Sequence, residues 1–574
     1  MTKNAHASPD LTRFVEIASR FGTEAAADKK RCLENLRTER LGSLDELVRL
    51  HETLLFVRAY PDDAEVLQLA DRCLAEFSKR RDLNAYRKDL ENSGIAGTEI
   101  RFPCWWTMAH WLANTWPEHV TLDWDEFENA PYLDKIWSLL LPHTESPYLD
   151  EYDRSPREWI EDIAGFAETD AAFLIRRFAA MDVGSLPRET LYDNFDVPLR
   201  IPSIEPERDS GLRRTPSRTL DRWPWPNVHF QAEELDRSRP DLAKAAKVAP
   251  VSMTRLSTED GQRLIELARS AMLTRTRDLD GFANANPDDA HIVDCGDGLA
   301  FGMLGLLPER RLMFDSSYAL LTLKNGIPAG YVLISALFGS AAIAYNVFEA
   351  FRGGEAARIL GHVFSVARHV FGVDSFSIDP YQLGQGNDEG LRSGAWWFYY
   401  KLGFRPRDPD VHRVLRAELA HMKKNPRHRS SESTMRKLVV DTMHFHLGKP
   451  RDDVLGIVSL GNVGRVITHA MGFQFGSQRE RGLDVCDREA VELCGRRTIQ
   501  AKRGWTDAEK LWWRRWSPLI VILPKLRSWP DEDKKRLVAV VRAKGSWHEA
   551  DFVKLFDDFP RLRKAFLDFA AREE

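Results

Sequence analysis

The most informative stretch of the sequence for the fold covers residues 318–348 and reads YALLTLKNGIPAGYVLISALFGSAAIAYNVF. It contains three β-rich runs, which are residues 318–323, 329–338 and 341–348. Asn325-Gly326 separates the first two runs, and Gly339-Ser340 separates the last two. Asn-Gly favours positive φ at both turn positions, and Gly-Ser suits a tight mirror-image turn. The stretch therefore predicts an antiparallel meander of three strands.

The sequence on either side of the meander alternates between strand and helix. Before it, residues 251–256 predict a short strand, and Ser257 is placed to cap the helix that follows. After it, the spacing of apolar residues predicts a helix over 355–371. A strand over 373–378 and a short helix ending at Gly403 complete the order βα, βββ, αβα.

The rest of the chain separates into segments of different composition. Its 574 residues are more than one hydrophobic core usually holds. Residues 198–248 are rich in proline and contain the tripeptide Arg237-Ser238-Arg239. Proline disfavours helix, so these residues predict an extended linker. The sequence predicts, in order, a helical domain over 1–197, the linker over 198–248, a central domain over 249–408 and a second helical domain over 409–574.

Charge and cysteine content exclude few classes of protein. The formal net charge of −5 argues neither for nor against a nucleic-acid partner. The six cysteines include no Cys-x-x-Cys pair, which predicts reduced thiols rather than a disulfide framework. Residues 519–523, the longest apolar run near the C-terminus, are too few to cross a bilayer. We expect a cytoplasmic, multidomain protein without membrane contact.

Two short signatures carry information about chemistry. Residues 346–356 read NVFEAFRGGEA and predict a strand that turns into a helix through glycines. Such a turn presents free backbone N–H groups and the positive end of the helix dipole, which suits a pyrophosphate. Residues 395–406 read AWWFYYKLGFRP and predict a short aromatic helix that ends at a glycine.

The element order and these two signatures resemble the GNAT N-acetyltransferase family. The resemblance covers residues 249–408 and leaves both flanks unexplained. It implies an α/β (α+β) central domain with a mixed, mostly antiparallel sheet, flanked by two mainly α-helical domains. It also implies an acyl-CoA-dependent N-acyltransferase, with acetyl-CoA or another acyl-CoA as co-substrate. Its acceptor would be a small-molecule or peptide amine that attacks the thioester directly.

The resemblance also assigns residues to the coenzyme. In the family, the pattern Gln/Arg-x-x-Gly-x-Gly/Ala holds the pyrophosphate of coenzyme A. Carried onto this sequence, it assigns Arg352, Gly353, Gly354 and Ala356 to the coenzyme. Aligned on Gly354 and Ala356, the sequence has Phe351 where the family has Gln or Arg. Counted from Arg352, it has Glu355 where the family has its central glycine.

Two further residues are candidates for acid–base catalysis. Tyr399 stands four residues before Gly403, where the family often has a tyrosine that protonates the departing thiolate. A phenol with a pKa near 10 is a reasonable proton donor to a thiolate of about 8.5. Glu349, at the end of the fourth strand, is the candidate base for the substrate amine, with Asp379 as a second candidate. No metal is expected, and we interpret His444-x-His446 as structural.

Two other functions stay open from sequence alone. In the first, the central domain is a non-catalytic GNAT-like module that binds acyl-CoA or no ligand, and the helical flanks recruit a protein partner. In the second, a basic segment guides an RNA-borne or tRNA-borne substrate to the transferase. Residues 405–450 form this basic segment, with eleven Lys and Arg against five acidic residues.

Overall fold

The computed structural model describes residues 8–165, 168–182, 184–205, 213–219, 222–352, 354–495 and 504–572. Within them the chain has a mixed α/β architecture with two compact units. Unit 1 consists of Met1–Leu235, Arg263–Asn284 and Leu323–Pro328, and unit 2 of Asp236–Gln262, Ala285–Thr322 and Ala329–Glu574. This grouping differs from the segments expected from composition, because pieces far apart in sequence pack within one unit.

Unit 1 is mostly helical, as predicted, and also contains a small sheet that the sequence did not suggest. Strands β1 (Ile100–Pro103) and β2 (Thr121–Leu122) both pair antiparallel with β3 (Pro198–Ile201). The helices with bounds inside unit 1 are Pro9–Ile17, Thr23–Thr38, Leu44–Ala59, Ala64–Ala75, Trp106–Thr115, Trp137–Leu140, Ser146–Glu151, Pro156–Ile163, Asp170–Ala179, Ser185–Asp193 and Asp280–Ala283. The helix Thr258–Leu273 contributes residues to both units.

Unit 2 is built on a sheet of eight strands. They are β4 (Ser252–Arg255), β5 (Ala285–Gly296), β6 (Leu299–Leu306), β7 (Ser316–Lys324), β8 (Ile327–Leu337), β9 (Ser340–Val347), β10 (Ser375–Ile378) and β11 (Met443–His446). Their order across the sheet is β11-β10-β9-β8-β7-β6-β5-β4. The pair β9–β10 is parallel, whereas β4–β5, β5–β6, β8–β9 and β10–β11 are antiparallel. The predicted mixed, mostly antiparallel sheet is therefore present.

The predicted meander is confirmed, with one correction to its second turn. Asn325 and Gly326 connect β7 to β8 with φ of 50° and 80°, as an Asn-Gly turn requires. The second turn is formed by Phe338 and Gly339, with φ of 57° and 61°, rather than by Gly339-Ser340. The reason is that Ser340 already belongs to β9, where it pairs with Leu337.

The hairpin β5–β6 was missed, although the sequence carried its signal. Asp297 and Gly298 form the turn with φ of 50° and 72°. Asp-Gly between apolar runs is a strong hairpin signal, because both residues tolerate positive φ. Strand β11 was also missed, and it lies beyond the boundary predicted at residue 408.

The helices of unit 2 cover the sheet and share one hydrophobic core with it. The indole rings of Trp512, Trp513 and Trp516, near the C-terminus, are fully buried in the same cluster as strand residues of β7 to β10. The helices are Leu242–Ala245, Ala356–Phe371, Pro380–Leu383, Asp388–Ser393, Ala395–Lys401, Pro409–Lys424, Glu432–Leu438, Leu460–Phe475, Arg479–Cys494, Asp507–Ile522, Asp531–Lys544, Ala550–Asp557 and Pro560–Ala570. The C-terminal tryptophans thus contribute to the core of unit 2.

One helix connects the two parallel strands and is called here the crossover helix (Ala356–Phe371). It begins one residue after the predicted position. Gly372 ends it as predicted, with φ of 75° and its N–H bonded to the carbonyl of Arg368. A helical crossover is the usual connection between neighbouring parallel strands.

Two simpler expectations can also be compared with the structure. All six cysteines are free thiols, as predicted. Across the described residues, none of the helices combines the length and the apolar character needed to span a bilayer.

Candidate functional site

The parallel strands β9 and β10 separate part of the way along the sheet. They pair only from Ser340↔Ser375 to Ala342↔Ser377, and β9 then continues to Val347. Among the described residues, no strand pairs with this side of β9 beyond Ala342. In open α/β sheets, ligands bind outside the carboxyl ends of parallel strands. The open edge of β9 is therefore the place to look for a site.

The predicted glycine turn lies at the end of this open edge. After β9 the chain makes one 3₁₀ turn, Glu349–Phe351, and the crossover helix begins at Ala356. The N–H of Gly354 donates to the carbonyl of Phe351 at 2.9 Å. The hydroxyl of Tyr345 donates to the carbonyl of Ala356 at 2.9 Å and ties β9 to the first helical turn. Gly353 lies outside the described residues.

A cavity of about 880 Å³ opens at the start of the crossover helix. Gly354, Ala356 and Ala357 line one side of it. The N–H groups of a first helical turn have no acceptor within their own helix, and the helix dipole is positive there. This side of the cavity can therefore donate hydrogen bonds to an anion.

The charged side chains around the cavity are mostly basic. Among its described lining residues are two acids, Asp236 and Glu355, and five bases, Arg237, Arg239, Arg352, Lys401 and Arg429. An excess of cations in a cleft attracts anionic ligands and raises their local concentration. The lining thus favours a ligand with several negative charges.

Apolar lining comes from a short helix, called here the aromatic helix (Ala395–Lys401). Its Trp397 and Phe398 line the cavity together with Met422 and Pro426. Trp397 is fixed by a hydrogen bond from its Nε1 to Oγ of Ser430 at 3.1 Å. Flat apolar surface next to cations suits a planar ring that carries phosphates.

A buried carboxylate holds residues 428–430, which belong to the cavity lining. Nε2 of His428 lies 2.6 Å from Oε1 of Glu418, whose side chain is 7% exposed. Burial alone would raise the pKa of Glu418, but its hydrogen bonds to His428 and Ser430 lower the pKa below the ordinary value. Glu418 therefore stays charged and anchors the segment that carries Arg429.

The two charged residues of the glycine turn already have partners. Arg352 forms an ion pair with Glu389, and its Nε donates to the carbonyl of Val347 at 3.3 Å. Oε1 of Glu355 lies 2.7 Å from the guanidinium of Arg358. This cation offsets the carboxylate that the family pattern does not have at this position.

The predicted acid–base residues lie apart from the cavity lining. Tyr399 is 3% exposed, packs edge-on against Phe404 with ring centroids 5.4 Å apart, and has its pKa raised by burial. Glu349 is exposed at the start of the 3₁₀ turn. Asp379 accepts the N–H of Tyr381 at 2.8 Å and caps a short helix. None of the three is among the described residues that line the cavity, so their catalytic roles stay predictions.

His444 and His446 lie on β11 rather than on a helix. Burial lowers the pKa of His444 to about 4, and Nδ1 of His446 lies 3.0 Å from Oγ of Ser375. These surroundings fit the structural role expected for both histidines.

Several lining residues were not selected from the sequence. Arg237 and Arg239 belong to the predicted linker, and Arg429 belongs to the basic segment. Both groups were visible as clusters of positive charge. Their meeting at the glycine turn was not visible, because it depends on contacts between segments far apart in the chain.

Comparison with known proteins gives no match: no family model, no curated protein and no solved structure is similar to this chain. Function is therefore inferred from the residues and their geometry.

Proposed function

We propose that unit 2 is an acyl-CoA-dependent N-acyltransferase of the GNAT type, which binds acetyl-CoA or another acyl-CoA in the cavity at the start of the crossover helix. One observation carries the proposal. The first turn of the crossover helix, which follows the open edge of β9 in the chain, lines a mostly basic cavity. The resemblance of residues 249–408 to the GNAT family supports the same proposal.

The lining residues fit the parts of coenzyme A. The pyrophosphate would accept hydrogen bonds from the N–H groups at Ala356 and Ala357, next to Arg352. Arg239 and Arg429 are available for the remaining phosphate. Trp397 offers a ring face for the adenine. A volume of about 880 Å³ also lies within the usual range of small-molecule sites.

The open edge of β9 fits the acyl-pantetheine arm. Beyond Ala342 the strand has backbone groups that β10 does not pair. An extended ligand can lie beside such an edge and use main-chain hydrogen bonds. One backbone N–H there would polarise the thioester carbonyl while the amine attacks. Glu349 and Asp379, which follow β9 and β10, remain the candidate bases for that amine.

Turnover of acetyl-CoA in the presence of amines tests the proposal. Release of free coenzyme A thiol should depend on an added amine, and mass spectrometry should find the acylated product. A panel of polyamines, amino acids and peptides covers the small-molecule and peptide acceptors.

Substitution of Tyr399 separates catalysis from binding. In Tyr399→Phe we expect kcat to fall about 10- to 100-fold while the affinity for acetyl-CoA is unchanged. This loss lies below the roughly 10²- to 10⁴-fold typical of general acid catalysis, because burial raises the pKa of the phenol and makes it a weaker acid. Tyr400→Phe is the control. The ring of Tyr400 stacks on that of Trp396 with centroids 5.3 Å apart, and its side chain points in a different direction from that of Tyr399. Equal losses in both variants would indicate packing rather than proton transfer.

A non-catalytic acyl-CoA-binding module is the second candidate. The burial of Tyr399 and its position outside the cavity lining favour it. Stoichiometric binding of acetyl-CoA without amine-dependent thiol release would support this module and exclude the transferase.

A further inference from the structure

A second cluster of polar side chains lies elsewhere in unit 2. Asp289 and His291 belong to β5, and His548 precedes the helix Ala550–Asp557. Asp289 lies where the pairing register of β5 is irregular, between Ala285 and Ala290. Its carboxylate lies near both imidazoles, that of His291 on β5 and that of His548. We call these three residues the histidine cluster.

The three side chains converge on one point. Nδ1 of His548 lies 2.8 Å from Oδ1 of Asp289. Nδ1 of His291 lies 3.8 Å from the same oxygen. One ligand atom from each of the three residues lies within 4.8 Å of the others. All three donors can therefore face a single small ion.

The cluster is buried and is not fully satisfied by the protein. The side chains of Asp289, His291 and His548 are 0%, 6% and 12% exposed. Nδ1 of His291 has no hydrogen-bond partner among the described residues. A buried polar atom without a partner costs free energy, and a metal ion bound at Nδ1 would supply the partner that the protein does not.

The surroundings hold the carboxylate in place. The hydroxyl of Tyr318 donates to Oδ2 of Asp289 at 2.6 Å, and the N–H of Glu549 approaches the same oxygen at 3.3 Å. A Cβ at Gly305 would lie 2.3 Å from Oδ2, so only glycine leaves room for this carboxylate. Hydrogen bonds that orient a ligating carboxylate are characteristic of metal sites.

We propose that Asp289, His291 and His548 bind one Zn²⁺ ion. Two imidazoles and one carboxylate are ligands typical of zinc, with bonds of about 2.0–2.2 Å and a water as fourth ligand. With such bonds, tetrahedral ligand atoms lie about 3.4 Å apart. The 3.8 Å from Nδ1 of His291 to Oδ1 of Asp289 would therefore close, and the 2.8 Å from Nδ1 of His548 to the same oxygen would open, each by roughly 0.5 Å. Zn²⁺ would replace the proton that Nδ1 of His548 shares with Asp289.

The protonation of His291 is compatible with this role. Burial lowers the pKa of His291 to about 4, with His548 and Arg255 lowering it further and Asp289 raising it. The ring is therefore neutral at pH 7, as a metal ligand must be.

A second group of metal-binding residue types, Glu418, His421 and His428, is a weaker candidate. Nε2 of His428 is already bonded to Glu418, and the His421 side chain is 63% exposed. The ion would also lie beside a basic cavity, which repels cations. We use this group as a control instead.

Calorimetric titration of the full chain with ZnCl₂, after treatment with a chelator, tests the proposal. We expect one equivalent to bind, with proton release that appears as a dependence of the heat on the buffer. His548→Gln should weaken binding at least about 100-fold, since a ligand contributes more than the 10- to 100-fold typical of outer-shell partners. Tyr318→Phe should weaken binding within that 10- to 100-fold range.

His421→Ala is the matched control, because it removes a histidine from the second group, and its affinity should equal that of the wild type. Weaker Zn²⁺ binding in His421→Ala, together with unchanged Zn²⁺ binding in His548→Gln, would overturn the proposal. Failure of the wild-type chain to bind Zn²⁺ would also overturn it, whether or not any variant folds. Tighter binding of Fe²⁺ or Mn²⁺ in parallel titrations would reject zinc as the ion.

Discussion

Ala356→Glu should weaken acetyl-CoA binding by about 100-fold or more. Ala356 lies at the first position of the crossover helix and lines the cavity. A carboxylate there would lie beside the pyrophosphate, and placing two like charges next to each other costs several kcal/mol. Each 1.4 kcal/mol of lost binding free energy raises the dissociation constant about tenfold. Isothermal titration of the full chain with acetyl-CoA measures the change.

Ala356→Gln is the matched control, since glutamine has nearly the same size and no charge. We expect it to lose much less affinity than Ala356→Glu. The acidic variant should remain folded, because a negative charge in the first turn of a helix is favourable. Equal losses in the two variants would assign the effect to size, and unchanged affinity in both would move the phosphate site elsewhere.

Lys544→Met should lower the free energy of unfolding of unit 2 by about 3–5 kcal/mol. The side chains of Lys544 and Glu549 are both 0% exposed and form an ion pair. Nζ of Lys544 also donates to the carbonyl of Asp315 at 2.6 Å. Methionine keeps the length of the side chain but leaves Glu549 buried without its ammonium partner. Urea unfolding followed by tryptophan fluorescence measures the change.

Two further variants test whether the lost charge is the cause. The double variant Lys544→Met/Glu549→Gln should recover part of the stability, because it removes the buried carboxylate together with its ammonium partner. The recovery is incomplete because the buried guanidinium of Arg311, 3.7 Å from Glu549, also loses this carboxylate. Lys564→Met removes the same type of side chain from an exposed pair, in which Lys564 lies 3.3 Å from Asp568 and the side chains are 76% and 53% exposed. We expect Lys564→Met to lower the free energy of unfolding by less than about 1 kcal/mol. A large loss of stability in Lys564→Met, or no loss in Lys544→Met, would contradict a stabilising role for the buried ion pair.

The fold near the site was predictable where local signals dominate. The turn at Asn325-Gly326 and the helix end at Gly372 follow from backbone conformations that those residues favour. The strands β7 to β9 followed from their apolar runs. Asp297-Gly298 is an equally clear turn signal, and it is sufficient to predict the hairpin β5–β6.

Other features depend on contacts that no local pattern reveals. Strand β11 is four residues long and joins the sheet only because β10 has a free edge. Arg237 and Arg239 reach the cavity through packing of the predicted linker against the crossover helix, where Cβ of Ala245 lies 3.1 Å from an ideal Cβ at Gly361. The convergence of Asp289 with His548 joins residues separated by 259 positions. Such sites require the folded structure.

Native mass spectrometry of the full chain with acetyl-CoA tests whether the cavity binds an acyl-CoA. We expect one acetyl-CoA per chain, with a dissociation constant on the order of micromolar. The complex should weaken as salt is raised before transfer to the gas phase, because its phosphates are held by basic side chains. A chain that carries no acetyl-CoA, even at saturating concentrations, would contradict the assignment of the cavity to an acyl-CoA.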